Sequence, residues 1–269
     1  MTNSNPPVYV IWYGDWSGRA GSQQIVRDFI TGLSGSAYWA INHTYFVDCS
    51  NPLIGCTGSG RVSTGIRLAT QVNDLYSQGG TMNGTAATNV IHAKIASGAL
   101  PADPNALYLI MLTPDVHDTA NGGATCGYHG IDDGYANGGA GGLKFEVVRS
   151  DMSTATTLNG AGSGCIIQWS NSPNGDTMAD ALVNVVAHEL AETVTDPNPS
   201  FKGYAIYTYP SENADQCAWN MGVNTPIVYQ APNGSKANVH LGSRDFFVQQ
   251  ILVNGKDTSY CAIAAPANP

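Results

Sequence analysis

The sequence contains few charged side chains, few basic ones and no long hydrophobic run. Only 12% of the 269 residues are charged, and 11 Lys and Arg stand against 20 Asp and Glu, giving a formal net charge of −9. The lack of basic residues excludes nucleic acid and anionic membranes as expected partners. Because no stretch of about 18 apolar residues occurs, the sequence also predicts no membrane span.

Low charge also bears on the compartment. A typical soluble domain is roughly 25% charged, so solubility here rests on Ser, Thr, Asn and Gly, as is common in secreted proteins. The even number of cysteines, six, agrees with secretion. The chain opens Met-Thr-Asn-Ser-Asn-Pro-Pro, without a signal peptide in this numbering. We therefore expect a secreted domain whose signal has been removed.

The length of the chain favours a single domain over residues 1–269, which we expect to be a monomer. Strands are predicted at 8–13, 38–47, 107–112, 144–148 and 165–169, and helices at 22–33, 61–76, 85–96 and 176–193. Residues 118–142 are predicted to be a long surface loop. The fold class is α/β (α+β), with a mixed, mostly parallel sheet flanked by helices over 1–197. Residues 198–269 are predicted to be irregular, with short strands near 227–229 and 246–253.

The helix predicted at 176–193 carries an apolar stripe that ends in ionisable residues. Steps of three and four along the stripe lead to His188, Glu189 and Glu192. A buried carboxylate is costly unless it is paired or bound to a metal. His188 and Glu192 lie at i and i+4, so both can reach one ion. Glu189 lies between them, where it can take a proton from a water that the ion activates.

A third protein ligand is expected, and the sequence offers two main candidates. Glu212, in Ser-Glu-Asn-Ala-Asp-Gln-Cys, is preferred, with Asp215 in a supporting role. Asp196 continues the same helix face, although the following proline predicts that the helix has ended by then. His129 and His240 are more distant candidates. Zinc is the expected ion, with Ca²⁺ as the alternative because the donors are rich in oxygen.

The cysteines favour disulfides over a metal cluster, because no Cys-x-x-Cys occurs. Cys49 and Cys56 are close in sequence and are predicted to form a local bridge. Two further pairs are suggested by position, and other connectivities stay open at this point: Cys126 with Cys165, and Cys217 with Cys261.

Several motifs together resemble the phosphate-induced protein 1 or EXORDIUM-like family. They are residues 10–14 and 24–30, Cys-Gly-Tyr-His-Gly at 126–130, Val-Thr-Asp-Pro at 194–197, Glu212 before Cys217, and Asn254-Gly255 before Cys261. The resemblance extends over nearly the whole chain. It implies an extracellular protein, and the family's cysteine positions imply the pairs Cys126–Cys165 and Cys217–Cys261. Plant members of the family have no settled biochemical activity.

Microbial members are more similar, because they carry His-Glu-x-x-Glu, Thr-Asp-Pro and Glu-x-x-Asp-x-Cys in this order. That form is similar to a zincin-like metallopeptidase, and the predicted strand order is similar to the zincin plan. The resemblance implies a secreted zinc-dependent peptidase or related amide hydrolase that acts on a peptide or protein. The expected metal ligands are His188, Glu192 and either Glu212 or Asp196. Glu189 would be the general base, and His129 or Tyr204 would stabilise the oxyanion. The alternative is a non-catalytic extracellular cell-wall or signalling domain with a structural metal site.

Overall fold

The computed structural model describes residues 5–46, 60–123, 125–135, 142–149, 165–166, 168, 170–197, 212–255 and 258–266. The strands up to residue 148 are β1 Pro7–Tyr13, β2 Arg67–Asp74, β3 Thr81–Met82, β4 Leu107–Leu112, β5 His117–Asp118, β6 Gly127–Asp132 and β7 Leu143–Val148. The α-helices are α1 Ala20–Leu33, α2 Gly84–Ala96 and α3 Thr177–Thr195. Short strands follow α3: β8 Tyr229–Gln230, β9 Lys236–Ala237, β10 Val239–Leu241, β11 Arg244–Phe246, β12 Ile251–Val253 and β13 Tyr260–Ala262.

A five-stranded sheet in the order β2-β1-β4-β7-β6 forms the centre of the fold. The first four strands are parallel, and β6 is antiparallel to β7 at the edge. This confirms the predicted mixed, mostly parallel sheet. Strand β1 is buried on both faces, which explains its uninterrupted apolar sequence. Its residues 8, 10 and 12 pack with α1 and α3, and residues 9, 11 and 13 pack on the side of α2.

Helix α3 begins and ends at aspartates. The side chain of Asp176 caps its start by accepting a hydrogen bond from the Ala179 backbone N–H at 3.0 Å. Asp196 is its C-cap. Among its nineteen residues, those from Ala179 to Thr195 are buried except His188, because one side packs on the sheet and other sides meet α1 and the segment after the helix. Of the described helices, none has the length and hydropathy needed to cross a membrane.

The chain after α3 packs back onto the first forty-five residues. The Tyr38 hydroxyl donates to the Gln249 carbonyl at 3.0 Å, and the Tyr45 hydroxyl donates to the Leu252 carbonyl at 2.7 Å. Phe246 packs edge-to-face on Phe29 of α1, with ring centroids 5.0 Å apart. Residues from both parts of the chain therefore share one hydrophobic cluster.

Two of the expected disulfides are present. Cys126–Cys165 ties the start of β6 to residue 165, and Cys217–Cys261 ties the segment after α3 to β13. In both, the Cα atoms are 5.7 Å apart. The predicted pair Cys49–Cys56 lies outside the described residues.

Two predicted elements are wrong because local sequence did not determine their structure. The helix predicted at 61–76 is instead the edge strand β2. Leu68, Ala69 and Val72 fall at helical spacing, but pairing with β1 decides the conformation. The described part of the strand predicted at 38–47 is mainly a 3₁₀ helix over Trp39–Thr44. Its apolar side chains are buried in the core, and a short apolar run alone does not distinguish a helix from a strand.

The predicted loop at 118–142 is also wrong in part, since it contains β6. Two glycines lowered its strand propensity. Gly127 is required by close packing, because a Cβ there would lie 2.6 Å from Glu189 Oε1. The strand predicted at 165–169 is wrong for the described residues 165, 166 and 168, which lie outside strands. The strand predicted at 246–253 is two separate strands, β11 and β12.

Candidate metal centre

The second half of α3 lies directly against β6 and β7, and this contact forms the candidate site. The missing side chain of Gly127 lets β6 approach the helix at Val185 and Glu189. The next residue but one, His129, points toward the same helix. In the local sequence Cys-Gly-Tyr-His-Gly, the first glycine leaves room for the helix to approach the strand. The imidazole of His129 therefore lies against α3.

His129 is surrounded by carboxylates. Its Nδ1 lies 3.5 Å from Glu189 Oε2 and 3.6 Å from Glu192 Oε2, and its Nε2 lies 3.1 Å from Glu212 Oε1. Glu146 is its directly opposite partner on β7. The 269-residue chain contains no other glutamates, so its whole set gathers around one histidine.

The protonation of the His129 ring follows from a backbone contact. Nε2 lies 2.9 Å from the carbonyl oxygen of Asp196, which can only accept a hydrogen bond. Nε2 therefore carries a hydrogen. In the neutral ring, Nδ1 then presents its lone pair toward Glu189 and Glu192. Asp196, a candidate ligand by sequence, contributes its backbone to this arrangement.

His188 has a parallel arrangement. Its Nε2 lies 3.1 Å from Glu192 Oε1 and 3.4 Å from Asp215 Oδ1. Its Nδ1 lies 3.2 Å from Gln249 Oε1. The Gln249 amide is oriented by its Nε2, which donates to the Ala214 carbonyl at 3.0 Å. Because the amide oxygen can only accept, His188 Nδ1 is the donor, and Nε2 is the ring nitrogen that faces the two carboxylates, with a lone pair when the ring is neutral.

Two overlapping groups of side chains offer ligand atoms within 4.8 Å of one another. One contains His188, Glu192 and Asp215, and the other contains His129, Glu192 and Glu212. The structure thus divides the expected trio of His188, Glu192 and Glu212. Asp215, expected in a supporting role, lies beside His188, and Glu212 lies beside His129.

Burial and neighbouring charges set the pKa values of the site. Burial opposes ionisation of Glu192, but the nearby His188 and His129 lower its pKa to about 2. Burial raises the pKa of Glu189, an effect that His129 and His188 oppose. Burial lowers the pKa of each histidine, yet the surrounding carboxylates outweigh it and raise both. In the metal-free protein, the carboxylates therefore favour the protonated form of both rings.

The site is buried on one side and open on the other. The side chains of His129, Glu189 and Glu192 are 3%, 5% and 3% exposed, whereas that of Asp215 is 55% exposed. Water and solutes therefore reach the group of His188, Glu192 and Asp215 from the Asp215 side. Tyr204, the other candidate for oxyanion stabilisation, lies outside the described residues.

Sequence reasoning missed two residues of the site, and both carried a signal. Glu146 is a carboxylate inside the apolar strand Leu-Lys-Phe-Glu-Val-Val, and Gln249 interrupts the apolar run Phe-Phe-Val-Gln-Gln-Ile-Leu-Val. A polar residue within a buried run needs a partner, so both positions pointed to a polar centre in the core. His240, a distant candidate ligand, lies elsewhere and pairs with Asp245.

Comparison with known proteins identifies the family. The model of the phosphate-induced protein 1 conserved region matches residues 1–262. The chain belongs to this family. Membership of the family that the sequence motifs resemble is thereby confirmed. No solved structure matches the chain.

Two relatives of this phosphate-induced protein 1 family member come from Arabidopsis thaliana. Protein EXORDIUM-like 5 is 29% identical over 230 residues, which cover 81% of this chain and 61% of the relative. Protein EXORDIUM-like 3 is 29% identical over 266 residues, which cover 90% of this chain and 72% of the relative. The chain thus spans less than two thirds of the first relative's length. The disulfides and these relatives are consistent with an extracellular protein.

Proposed function

We propose that this family member is a secreted, zinc-dependent hydrolase that cleaves amide bonds in peptides or proteins. The observation that carries the proposal is the orientation of His188. Its Nδ1–H is held by Gln249, so Nε2 is the nitrogen that faces Glu192 and Asp215 and is free to bind a metal once it loses its proton. A ligand histidine characteristically donates its other ring N–H to an oxygen in this way.

The dimensions of this group suit zinc. Ligands bound at about 2.0–2.1 Å in a tetrahedron lie roughly 3.3–3.4 Å apart. The His188 Nε2 separations of 3.1 Å and 3.4 Å from the two carboxylate oxygens match this spacing. An imidazole ligand favours zinc over Ca²⁺, which prefers oxygen donors alone. The open side at Asp215 leaves room for water or substrate as a further ligand.

Glu189 and His129, which lie beside the proposed zinc ligands, are suited to general acid–base catalysis. A bound zinc ion supplies Lewis acidity and makes water a stronger nucleophile. Glu189 follows His188 on the same helix, and burial raises the pKa of its carboxyl group, which makes the carboxylate a stronger proton acceptor. His129 Nδ1, 3.5 Å from Glu189 Oε2, is placed to exchange a proton with it or to stabilise negative charge on the substrate oxygen.

An extended peptide is the substrate that the surrounding fold accommodates best. Strand β6 is the last strand of the described sheet, and it carries His129. The free edge of such a strand can pair with an added strand through backbone hydrogen bonds. A peptide bound there would run in an extended conformation past the proposed catalytic side chains. Its backbone amide bonds would then be accessible for hydrolysis.

The test is hydrolysis of a mixed peptide library by the Glu189→Gln variant. Removing the proton acceptor should lower kcat by at least about 100-fold while zinc remains bound. Asp180→Asn, a similar change on the same helix but away from the site, is the control and should retain activity. Unchanged hydrolysis by Glu189→Gln would contradict the mechanism.

A structural metal site in a non-catalytic extracellular binding domain is the second candidate. The burial of Glu189 favours it, because the carboxylate is 5% exposed and has limited access to substrate. This function predicts bound zinc in both the parent protein and Glu189→Gln, with no hydrolysis by either. Loss of folding stability on chelation would then be the main effect of metal removal.

A further inference from the structure

We propose that Asn184 is a positioning residue for the zinc site at His188. It acts through Gln249, whose side chain contacts both His188 and the segment that carries Asp215. This inference rests on the proposed function, because it assigns to Asn184 the placement of the zinc ligands proposed there. Asn184 is not itself one of those ligands.

Asn184 lies in the middle of α3 and is 1% exposed, between the buried residues Val183 and Val185. Asparagine is a poor helix former, and a buried amide needs hydrogen-bond partners. Steps of four residues place Asn184, His188 and Glu192 along one face of the helix. The contacts of this amide, one turn before the proposed ligands, therefore explain why a polar residue occupies a core position.

Asn184 holds the backbone of Gln249. Its Oδ1 accepts a hydrogen bond from the Gln249 backbone N–H at 2.7 Å. The Tyr38 hydroxyl donates to the backbone carbonyl of the same residue at 3.0 Å. Gln249 is 1% exposed and lies between β11 and β12. Side chains therefore supply the hydrogen bonds that a neighbouring strand would otherwise make to this backbone.

The side chain of Gln249 reaches both sides of the site. Its Oε1 lies 3.2 Å from His188 Nδ1, and its Nε2 donates to the Ala214 carbonyl at 3.0 Å. The next residue, Asp215, places Oδ1 3.4 Å from His188 Nε2, and its backbone N–H donates to Glu192 Oε1 at 2.9 Å. A shift of Gln249 therefore displaces His188 directly and the other two proposed ligands through Ala214.

The experiment compares zinc affinity and the absorption spectrum of the Co²⁺-substituted protein. Asn184→Leu removes the acceptor for the Gln249 backbone, so we expect zinc affinity to fall by about 10-fold and the Co²⁺ d–d bands to shift. Asn184→Asp keeps an acceptor oxygen and should give the parent spectrum. These bands report the geometry of the metal ligands, which a merely structural role of Asn184 would leave unchanged.

Asn238→Leu is the matched control, because it removes buried amide hydrogen bonds to Val248, the neighbour of Gln249, and should keep the parent affinity and spectrum. Asn184→Ser covers the case in which Asn184→Leu fails to fold. Its hydroxyl is one bond shorter than the amide, so it leaves the Gln249 N–H without its direct acceptor and should also weaken zinc binding. Parent affinity and spectrum in the folded leucine or serine variant would overturn the positioning role.

The outcomes for Asn184 and for the hydrolase mechanism are separable. Parent spectra in Asn184→Leu, together with hydrolysis that Glu189→Gln abolishes, would reject the positioning role and leave the proposed function intact. Shifted bands in Asn184→Leu, together with hydrolysis that Glu189→Gln leaves unchanged, would retain the positioning role and reject the mechanism. A parent protein that binds neither zinc nor Co²⁺ would overturn both.

Discussion

Glu146 lies in the middle of β7, opposite His129, and its side chain is completely buried. Burial raises its pKa to about 8, and the charges of Glu189 and Glu192 act in the same direction. The folded protein therefore holds this carboxyl group neutral at pH 7, whereas the unfolded chain ionises it. Folding loses stability from this group as the pH rises above about 4.5.

We predict that Glu146→Gln stabilises the metal-free protein at pH 7 by about 1–3 kcal/mol, because the amide is neutral in both states. The free energy of unfolding from urea titrations measures the effect. The same two proteins at pH 4 serve as the control, since the advantage should vanish where the glutamate is protonated in both states. A variant less stable than the parent at pH 7 would contradict the argument.

Gln249 acts on the site through His188. We predict that Gln249→Met weakens zinc binding by about 10–100-fold, because His188 loses the acceptor that fixes its ring. Competition with a chromophoric chelator measures the affinity. Asn238→Leu is the matched control: it removes buried amide hydrogen bonds to Val248, on the neighbouring segment, without touching His188. Equal loss of affinity in both variants would reduce Gln249 to a general structural role.

At the scale of the elements, the contact between β6 and α3 depends on Gly127. A Cβ there would lie 2.6 Å from Glu189 Oε1 and 2.7 Å from Val185 Cγ1. We predict that Gly127→Ala costs about 1–3 kcal/mol of stability and weakens zinc binding, because the strand and the helix must separate. Thermal unfolding and zinc affinity check both effects.

The control for this change is Gly21→Ala in α1. A Cβ at Gly21 meets no atom within 4 Å, and the residue is exposed on a helix. Alanine should therefore be neutral or stabilise the protein by up to about 1 kcal/mol. If both variants behaved alike, the close approach at Gly127 would have no energetic significance.

The elements show which parts of the structure were predictable. Buried strands such as β1 and β4, and helix α3 with its aspartate cap, carry their own periodicity and were predicted. Strand β6 was not predicted, because Gly127 is required by close packing on α3, which is distant in sequence. Spacing along a helix is local in sequence, so it identified His188, Glu189 and Glu192 as neighbours. Only tertiary packing decides that Asp215 lies beside His188 and Glu212 beside His129.

At the scale of the whole molecule, the site should set how stability depends on pH. The lowered pKa of Glu192 gives stability that is complete above about pH 4.5 and is lost as the pH falls toward 2. The raised pKa values of His129 and His188 give stability that is complete below about pH 6.5 and is lost as the pH rises.

We therefore predict that the metal-free protein is most stable between about pH 4.5 and 6.5. Melting temperatures across the pH range, with a chelator present, measure the profile. Zinc should shift the optimum toward neutral pH, because the metal replaces protons on the histidines. A metal-free optimum above pH 7 would show that the site does not dominate the titration.

The bonds from Tyr38 and Tyr45 to the carbonyls of Gln249 and Leu252 join residues 211 and 207 positions apart. A ribosome makes His188, Glu189 and Glu192 well before it makes Gln249. When the ribosome has just made α3, the nascent chain therefore carries the proposed metal-binding residues of the helix but lacks Gln249, which orients His188. The proposed metal site is thus completed only after the later segment has been made and has packed back onto the first part of the fold.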